Sequence, residues 1–138
     1  TIKHFFFENM ELLPKGQKNS SEVSWEDQQK INEFSTHISK KDIITAELEK
    51  LQTEKEYIDD LSMEMELMDE DETVNYKIGD TFVLIKQSEA VKRLETQNAF
   101  LDSKVTDLET QIEGLDSKLE FLKKQLYAKF GTAINLER

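Results

Sequence analysis

From Glu89 to Phe130 seam positions return at alternating three- and four-residue steps. Val91, Asn98, Val105, Ile112, Leu119 and Leu126 fall on heptad position a, and Leu94, Leu101, Leu108, Leu115 and Leu122 on position d. Leucine at every d predicts a helix that buries one narrow stripe against a partner helix. Glu95, Asp102, Glu109, Asp116 and Lys123 at e, with Lys104 and Lys118 at g, flank the seam with charge of mixed sign. Ser88 is placed to cap the start, while Lys123, Lys124 and Lys129 near the end and Gly131 just beyond it supply a stop. The predicted helix is 88–130, roughly 63 Å long at the usual rise. Upstream, Ile31, Phe34, Ile38, Ile44, Leu48, Leu51, Ile58, Leu61, Met65 and Met68 keep the period less strictly, with breaks near Lys41 and Lys55 that read as stutters. The Ser24 hydroxyl ahead of Trp25, Glu26 and Asp27 predicts a capped start for a helix over 24–68, about 66 Å long. Two arms of nearly equal length predict a pair folded back on itself.

Between the helices the period changes to two. Residues 69–87 read as an acidic bend, Met68-Asp69-Glu70-Asp71-Glu72, followed by two β-prone runs around Gly79-Asp80, a pair suited to a type II′ turn. With that turn, Ile78 faces Thr81, Tyr76 faces Val83 and Val74 faces Ile85, which makes one apolar face; Phe82 and Leu84 stand on the other among polar residues. A lone two-stranded hairpin is marginal in water and its open edges invite further strands, so this one is expected to join a sheet built with other chains. The assembly residues are then Val74, Tyr76, Ile78, Gly79, Phe82, Val83, Leu84 and Ile85. Residues 1–23, with Pro14, Gly16 and a polar run at 17–21, have no sustained period and read as a disordered tail. Met10-Glu11-Leu12-Leu13 has the form of a natural start, so residues 1–9 are expected to be an upstream extension. Residues 131–138 form a short C-terminal tail.

Composition narrows the classes of function. Charged residues make up 34% of the 138 against 37% hydrophobic, with one Pro and four Gly, a profile of long helices and not of a deep pocket. The formal charge of −11 sets the chain against phosphate backbones and anionic membranes, so neither nucleic acid nor membrane is an expected partner. It also leaves two readings open, attraction to basic protein segments or simple solubility. Without cysteine there is no disulfide scaffold and no thiolate metal site. Phe5-Phe6-Phe7 is too short for a signal-peptide core and no run reaches the ~18 apolar residues of a membrane span, which points to the cytoplasm.

Candidate chemistry is sparse. The acidic bend lacks the spacing of a calcium loop and reads as solvated. His4 and His37 have no second histidine or cysteine beside them, and His37 reads as a surface residue on its helix. No phosphate-binding glycine loop, nucleophile elbow or zinc dyad occurs, so no enzyme, metal or cofactor is expected. Asn98, the polar residue at a, either fixes register or is solvated near the hairpin. Met63, Met65 and Met68 offer either an adaptable surface or core packing. Trp25, Ile31 and Phe34 open the first helix, and Leu126, Tyr127, Phe130, Ile134 and Leu136 close the second and run past it. A folded-back pair brings these together, where they either seal the coil's tip or form a surface for an apolar ligand.

Glu26-Asp27-Gln28-Gln29-Lys30-Ile31-Asn32, Tyr76-Lys77-Ile78-Gly79-Asp80-Thr81-Phe82, Leu126-Tyr127-Ala128-Lys129-Phe130-Gly131 and Ile134-Asn135-Leu136-Glu137 follow in the order seen in prefoldin. From Met10 to Arg138 the chain resembles that family, and its single hairpin is similar to those of the eukaryotic β-class subunits. The resemblance implies a mainly α fold, a long antiparallel two-helix coiled coil joined by one β-hairpin that adds to an oligomeric β-barrel. It implies a heterohexamer of two α-class and four β-class subunits, an ATP-independent holdase that captures unfolded actin and tubulin and delivers them to the cytosolic chaperonin. It also places client or chaperonin contact at the arm tips, here the eight residues from Trp25 to Leu136 just named. The competing reading is a structural coiled-coil tether or scaffold without client binding.

Overall fold

The computed structural model describes residues 22–137, so the expectations for residues 1–21 of the tail, His4, Phe5–Phe7 and a start at Met10 lie outside the described residues, while Glu22 and Val23 are exposed and outside helix and strand. In chain order come α1 (Trp25–Glu66), β1 (Thr73–Ile78), β2 (Thr81–Lys86), α2 (Gln87–Phe130) and a single 3-10 turn at Gly131–Ala133. Two long helices are thus joined by one antiparallel hairpin.

Local chemistry explains each boundary. At the head of α1 the Asp27 N–H donates to Ser24 Oγ at 3.1 Å, and the Ser24 N–H donates back to Asp27 Oδ2 at 3.0 Å, so two otherwise orphaned amides satisfy each other's residues. The tail of α1 stops at Glu66, two residues short of Met68. The amides of Leu67 and Met68 reach the carbonyls of Glu64 and Met65 in a tightened last turn, at 3.2 and 3.1 Å. No basic residue lies in that turn; instead the buried Gln87 side chain donates to the Met65 carbonyl at 2.6 Å. At the head of α2 the helix starts at Gln87 with no loop after β2, and Ser88 is not its cap. The Gln87 and Ser88 amides donate to the carbonyls of Glu72 and Glu70, so the backbone of the acidic bend takes the capping role.

The hairpin keeps the register read from the turn: Ile78 opposite Thr81, Lys77 opposite Phe82, Tyr76 opposite Val83 and Val74 opposite Ile85. Gly79 has φ +60, and among the described residues no residue other than glycine has positive φ. A positive φ at the first central residue alone is the type II′ form, whose twist matches the strands it joins.

The chain divides into two compact units, residues 45–110 and the described residues up to 44 with those from 111 on. Within 45–110 the helices run antiparallel, since Lys55 pairs with Asp102, Asp59 with Asn98 and Met65 with Gln87. Ile58, Leu94 and Leu101 form the buried centre there, with Leu51, Leu61, Met65 and Tyr76 packed against it. Within the other unit Asp27 pairs with Lys129 and Lys41 with Asp116, and the core is Ile31, Phe34, Leu119, Leu122, Leu126, Phe130, Ile134 and Leu136.

All five d leucines of α2 are buried, whereas Val91, Asn98, Val105 and Ile112 at a are half-buried. One partner helix covers d and leaves a at the rim. Leu119 and Leu126, also at a, are buried because Ile134 and Leu136 supply a third element against them. The stutters near Lys41 and Lys55 have a cause as well. Each lysine sits where an apolar residue would, and spans the seam to an aspartate at e. Its hydrogen bond to Asp102 raises the pKa of Lys55 above the usual lysine value.

Candidate functional site

The hairpin has a used face and an unused one. Val74 is buried, Tyr76, Val83 and Ile85 are half-buried, and Tyr76 packs on the helix core, so this face is turned inward. Phe82 and Leu84 on the opposite face are 65% and 71% exposed, and Ile78 beside the turn is also exposed. Gly79 accepts the turn that only a residue without Cβ adopts freely. Among the described residues both strands pair only with each other, so each has an outer edge of amides and carbonyls unused by the other.

The unit around residue 130 brings together six of the eight residues expected at the tip. Ile31, Phe34, Leu126, Phe130, Ile134 and Leu136 are all buried in one cluster, Tyr127 is packed against it in part, and Trp25 stands outside at 75% exposure. The closure comes from the segment after the helix. Gly131, at φ +57, ends α2 in the left-handed conformation, Ile134 is extended (φ −130, ψ 142), and Ile134 and Leu136 are both buried in the cluster. The Leu136 amide donates to the Tyr127 hydroxyl at 2.9 Å, the Glu137 amide to Asn135 Oδ1 at 3.0 Å, and Lys123 Nζ meets Glu137 Oε1 at 3.3 Å. Leu136 and Glu137 share with Ile38, Leu119 and Lys123 the wall of a cleft of about 460 Å³.

Asp27 locks the same unit. Its Oδ2 accepts from the Ser24 amide, from the Ser24 hydroxyl at 2.9 Å and from the Lys129 ammonium of the last turn of α2. Burial works to raise its pKa, but the Lys129 and Ser24 hydrogen bonds outweigh it and hold the carboxyl below the usual aspartate value. This network escapes a reading of apolar periods. Its sequence signals are Ser-x-x-Asp at a helix start and a lysine in the last turn of the other helix. Leu119, Leu122, Ile38 and Ala133 also belong to the cluster, and the heptad frame already marks the first two.

Several single residues resolve. Asn98 donates to Asp59 Oδ1 at 2.7 Å across the seam, a bond that a one-turn slip would break, while its buried Oδ1 has no hydrogen-bond partner among the described residues. Met65 packs in the core and Met63 is exposed, so the methionines do not form one surface. His37 is half-buried and lies 3.3 Å from Glu33 one turn away, more covered than a free surface residue. Apolar side chains off the seam, Ile43, Tyr57, Phe100 and Phe121, are exposed along the helices. Among the described residues no three His, Cys, Asp or Glu converge on a metal position, and no helix is long and apolar enough to cross a membrane.

The chain has close counterparts of known family. The family profile described as prefoldin subunit matches residues 28–133. Prefoldin subunit 4 of Saccharomyces cerevisiae is 55% identical over 129 residues, which cover 94% of this chain and 100% of that one. Prefoldin subunit 4 of Homo sapiens is 35% identical over 126 residues, 91% of this chain and 94% of that one. The crystal structure of the prefoldin beta subunit from Thermococcus strain KS-1 superposes with a TM-score of 0.71 over 78% of this chain and 94% of that one. At 20% identity that likeness speaks for the fold alone.

Proposed function

The chain belongs to the prefoldin subunit family, and from that premise we propose that it takes the subunit 4 place, a β-class arm, in a heterohexamer of two α-class and four β-class subunits. Membership makes it a co-chaperone subunit of a family that is not one of enzymes. The observation that carries the finer reading is the outward hairpin face: Phe82 and Leu84 expose apolar surface beside open strand edges, a combination with no use in an isolated chain. Strands from neighbouring subunits would pair with those edges and cover that face, building the barrel from which the arms extend.

In this reading the complex works in the cytoplasm as an ATP-independent holdase that captures unfolded actin and tubulin and passes them to the cytosolic chaperonin. Contact with client or chaperonin lies in the unit holding Trp25, Ile31, Phe34, Leu126, Tyr127, Phe130, Ile134 and Leu136, where apolar side chains are densest. Several arms holding one client at once turn weak single contacts into a useful grip. Native mass spectrometry of the chain, alone and mixed with the other five prefoldin subunits, tests the assembly. A 1:1:1:1:1:1 species, with poor self-association of this chain, is expected; a stable homodimer indifferent to those subunits would overturn it. One observation favours a plain tether instead, the burial of six of the eight contact residues. Suppression of denatured-actin aggregation by the assembled complex separates the two, since a tether leaves aggregation unchanged.

A further inference from the structure

The segment after Gly131 behaves as a ligand held in a groove more than as a continuation of the fold. After a 3-10 turn it leaves the helix, with Ile134 extended and residues 134–137 free of helix, and it buries two side chains, two residues apart, against residues of both helices. It is bound as a peptide would be bound: a backbone amide goes to the Tyr127 hydroxyl, and a carboxylate follows the second apolar residue to meet Lys123. The cations along the cleft are not equivalent: Lys41 is engaged with Asp116 at 2.6 Å, whereas Lys123, 3.9 Å from Glu120 one turn away, meets the segment more closely, at 3.3 Å from Glu137.

Resting on the client-binding reading above, we propose that Ile134–Glu137 is an internal stand-in for client. The groove of Ile31, Phe34, Leu119, Leu126 and Tyr127, with Lys123 at its rim, takes extended segments bearing two apolar residues two apart and an acidic residue after them. Client enters by displacing the stand-in. Ile134 and Leu136 are then gatekeepers of the contact surface, and the helix residues beneath them are the surface itself. Apparent affinity falls in proportion to the fraction of time the groove is open, so freeing the groove tightens binding with no new contact. Glu137 is two-thirds exposed and its ion pair is correspondingly weak, which suits a segment that must leave.

The test uses the complex assembled from all six prefoldin subunits, carrying this chain unaltered, ended after Ala133, or with Leu136→Ser. The probe is a fluorescein-labelled peptide Thr-Ala-Ile-Asn-Leu-Glu-Arg read by anisotropy, with far-UV circular dichroism to check that the helices persist. Leu136→Ser keeps the segment and every groove residue, so it stands in if the shortened chain frays. Both altered complexes are expected to bind the peptide several-fold more tightly than the unaltered one. A peptide with serine for its Ile and Leu is expected not to bind, and one with lysine for its glutamate to bind several-fold more weakly. Equal affinity in all three complexes, or no binding to either altered one while denatured-actin aggregation is still suppressed, overturns the stand-in and leaves the chaperone reading in place. Failure of all three complexes to suppress aggregation overturns the reading on which it rests.

Discussion

Phe82→Asp separates the proposed assembly surface from the fold of the chain. The side chain is 65% exposed on the outward face of the hairpin. A phenylalanine offers 150–250 Å², so about 130 Å² remains for a neighbouring subunit to cover. At ~25 cal/mol per Å² that is about 3 kcal/mol of association, or roughly 150-fold in the equilibrium constant. A carboxylate in the same place adds a desolvation penalty of a few kcal/mol more. Within the chain the change is mild, because Phe82 lies opposite Lys77, where an aspartate gains a cross-strand ion pair of ~0.2–1 kcal/mol against a similar loss in strand propensity. Sedimentation or native mass spectrometry over a concentration series with the other prefoldin subunits should show the assembly midpoint displaced by a hundredfold or more, with the helical circular dichroism unchanged. A midpoint within threefold of the unaltered chain would remove the outer hairpin face from the interface. Loss of helicity would refute the view that the hairpin's outer face is spare.

Asp27→Asn keeps an acceptor for Ser24 but removes the charge that faces Lys129 and the start of α1, a cost of about 1 kcal/mol by urea unfolding. Trp25, the sole tryptophan, should report the fraying by fluorescence. Because the folded Asp27 pKa lies below its ordinary value, its contribution is complete above pH ~4 and is lost as pH falls through the folded pKa. The gap between the two chains should therefore narrow as the pH falls below ~4, and a gap that does not narrow at all in acid would rule out the charge as its origin. Leu94→Ala, at a position 1% exposed, should cost about 3–4 kcal/mol in thermal unfolding; a loss under ~1 kcal/mol would mean the hairpin-side core repacks freely.

The fold was legible because period and turn chemistry agree. Leucine at every d and the Gly79-Asp80 pair each specify a local geometry, and the register from Val74 opposite Ile85 to Ile78 opposite Thr81 follows from the turn alone. What periodicity could not show is how polar residues close the joints. Gln87 caps α1 from 22 residues away, the Glu70 and Glu72 carbonyls cap α2 in place of Ser88, and Lys41 and Lys55 interrupt the stripe in order to pair across it. The tip was half legible. Its residues were identifiable as a set, but their burial depends on a chain reversal at Gly131 and on one hydroxyl, Tyr127, placed to receive an amide nine residues on. Neither leaves a repeat in the sequence.

That reversal bears on how tightly one arm can hold anything. Ile134 and Leu136 contribute ~2 kcal/mol each by burial and the Tyr127 hydrogen bond about 1. Ordering the four residues from Ile134 to Glu137 costs ~1–2 kcal/mol apiece. The balance lies within a few kcal/mol of zero, so the segment is poised to open without disturbing the helices it covers. A client segment making the same contacts has the same modest balance and must also meet the cost of association, several kcal/mol at least. A single groove of this kind cannot retain a chain for long. On the proposed holdase reading, retention requires several grooves acting on one client, and release requires only that a few of them lapse together, which is what holding without ATP would need.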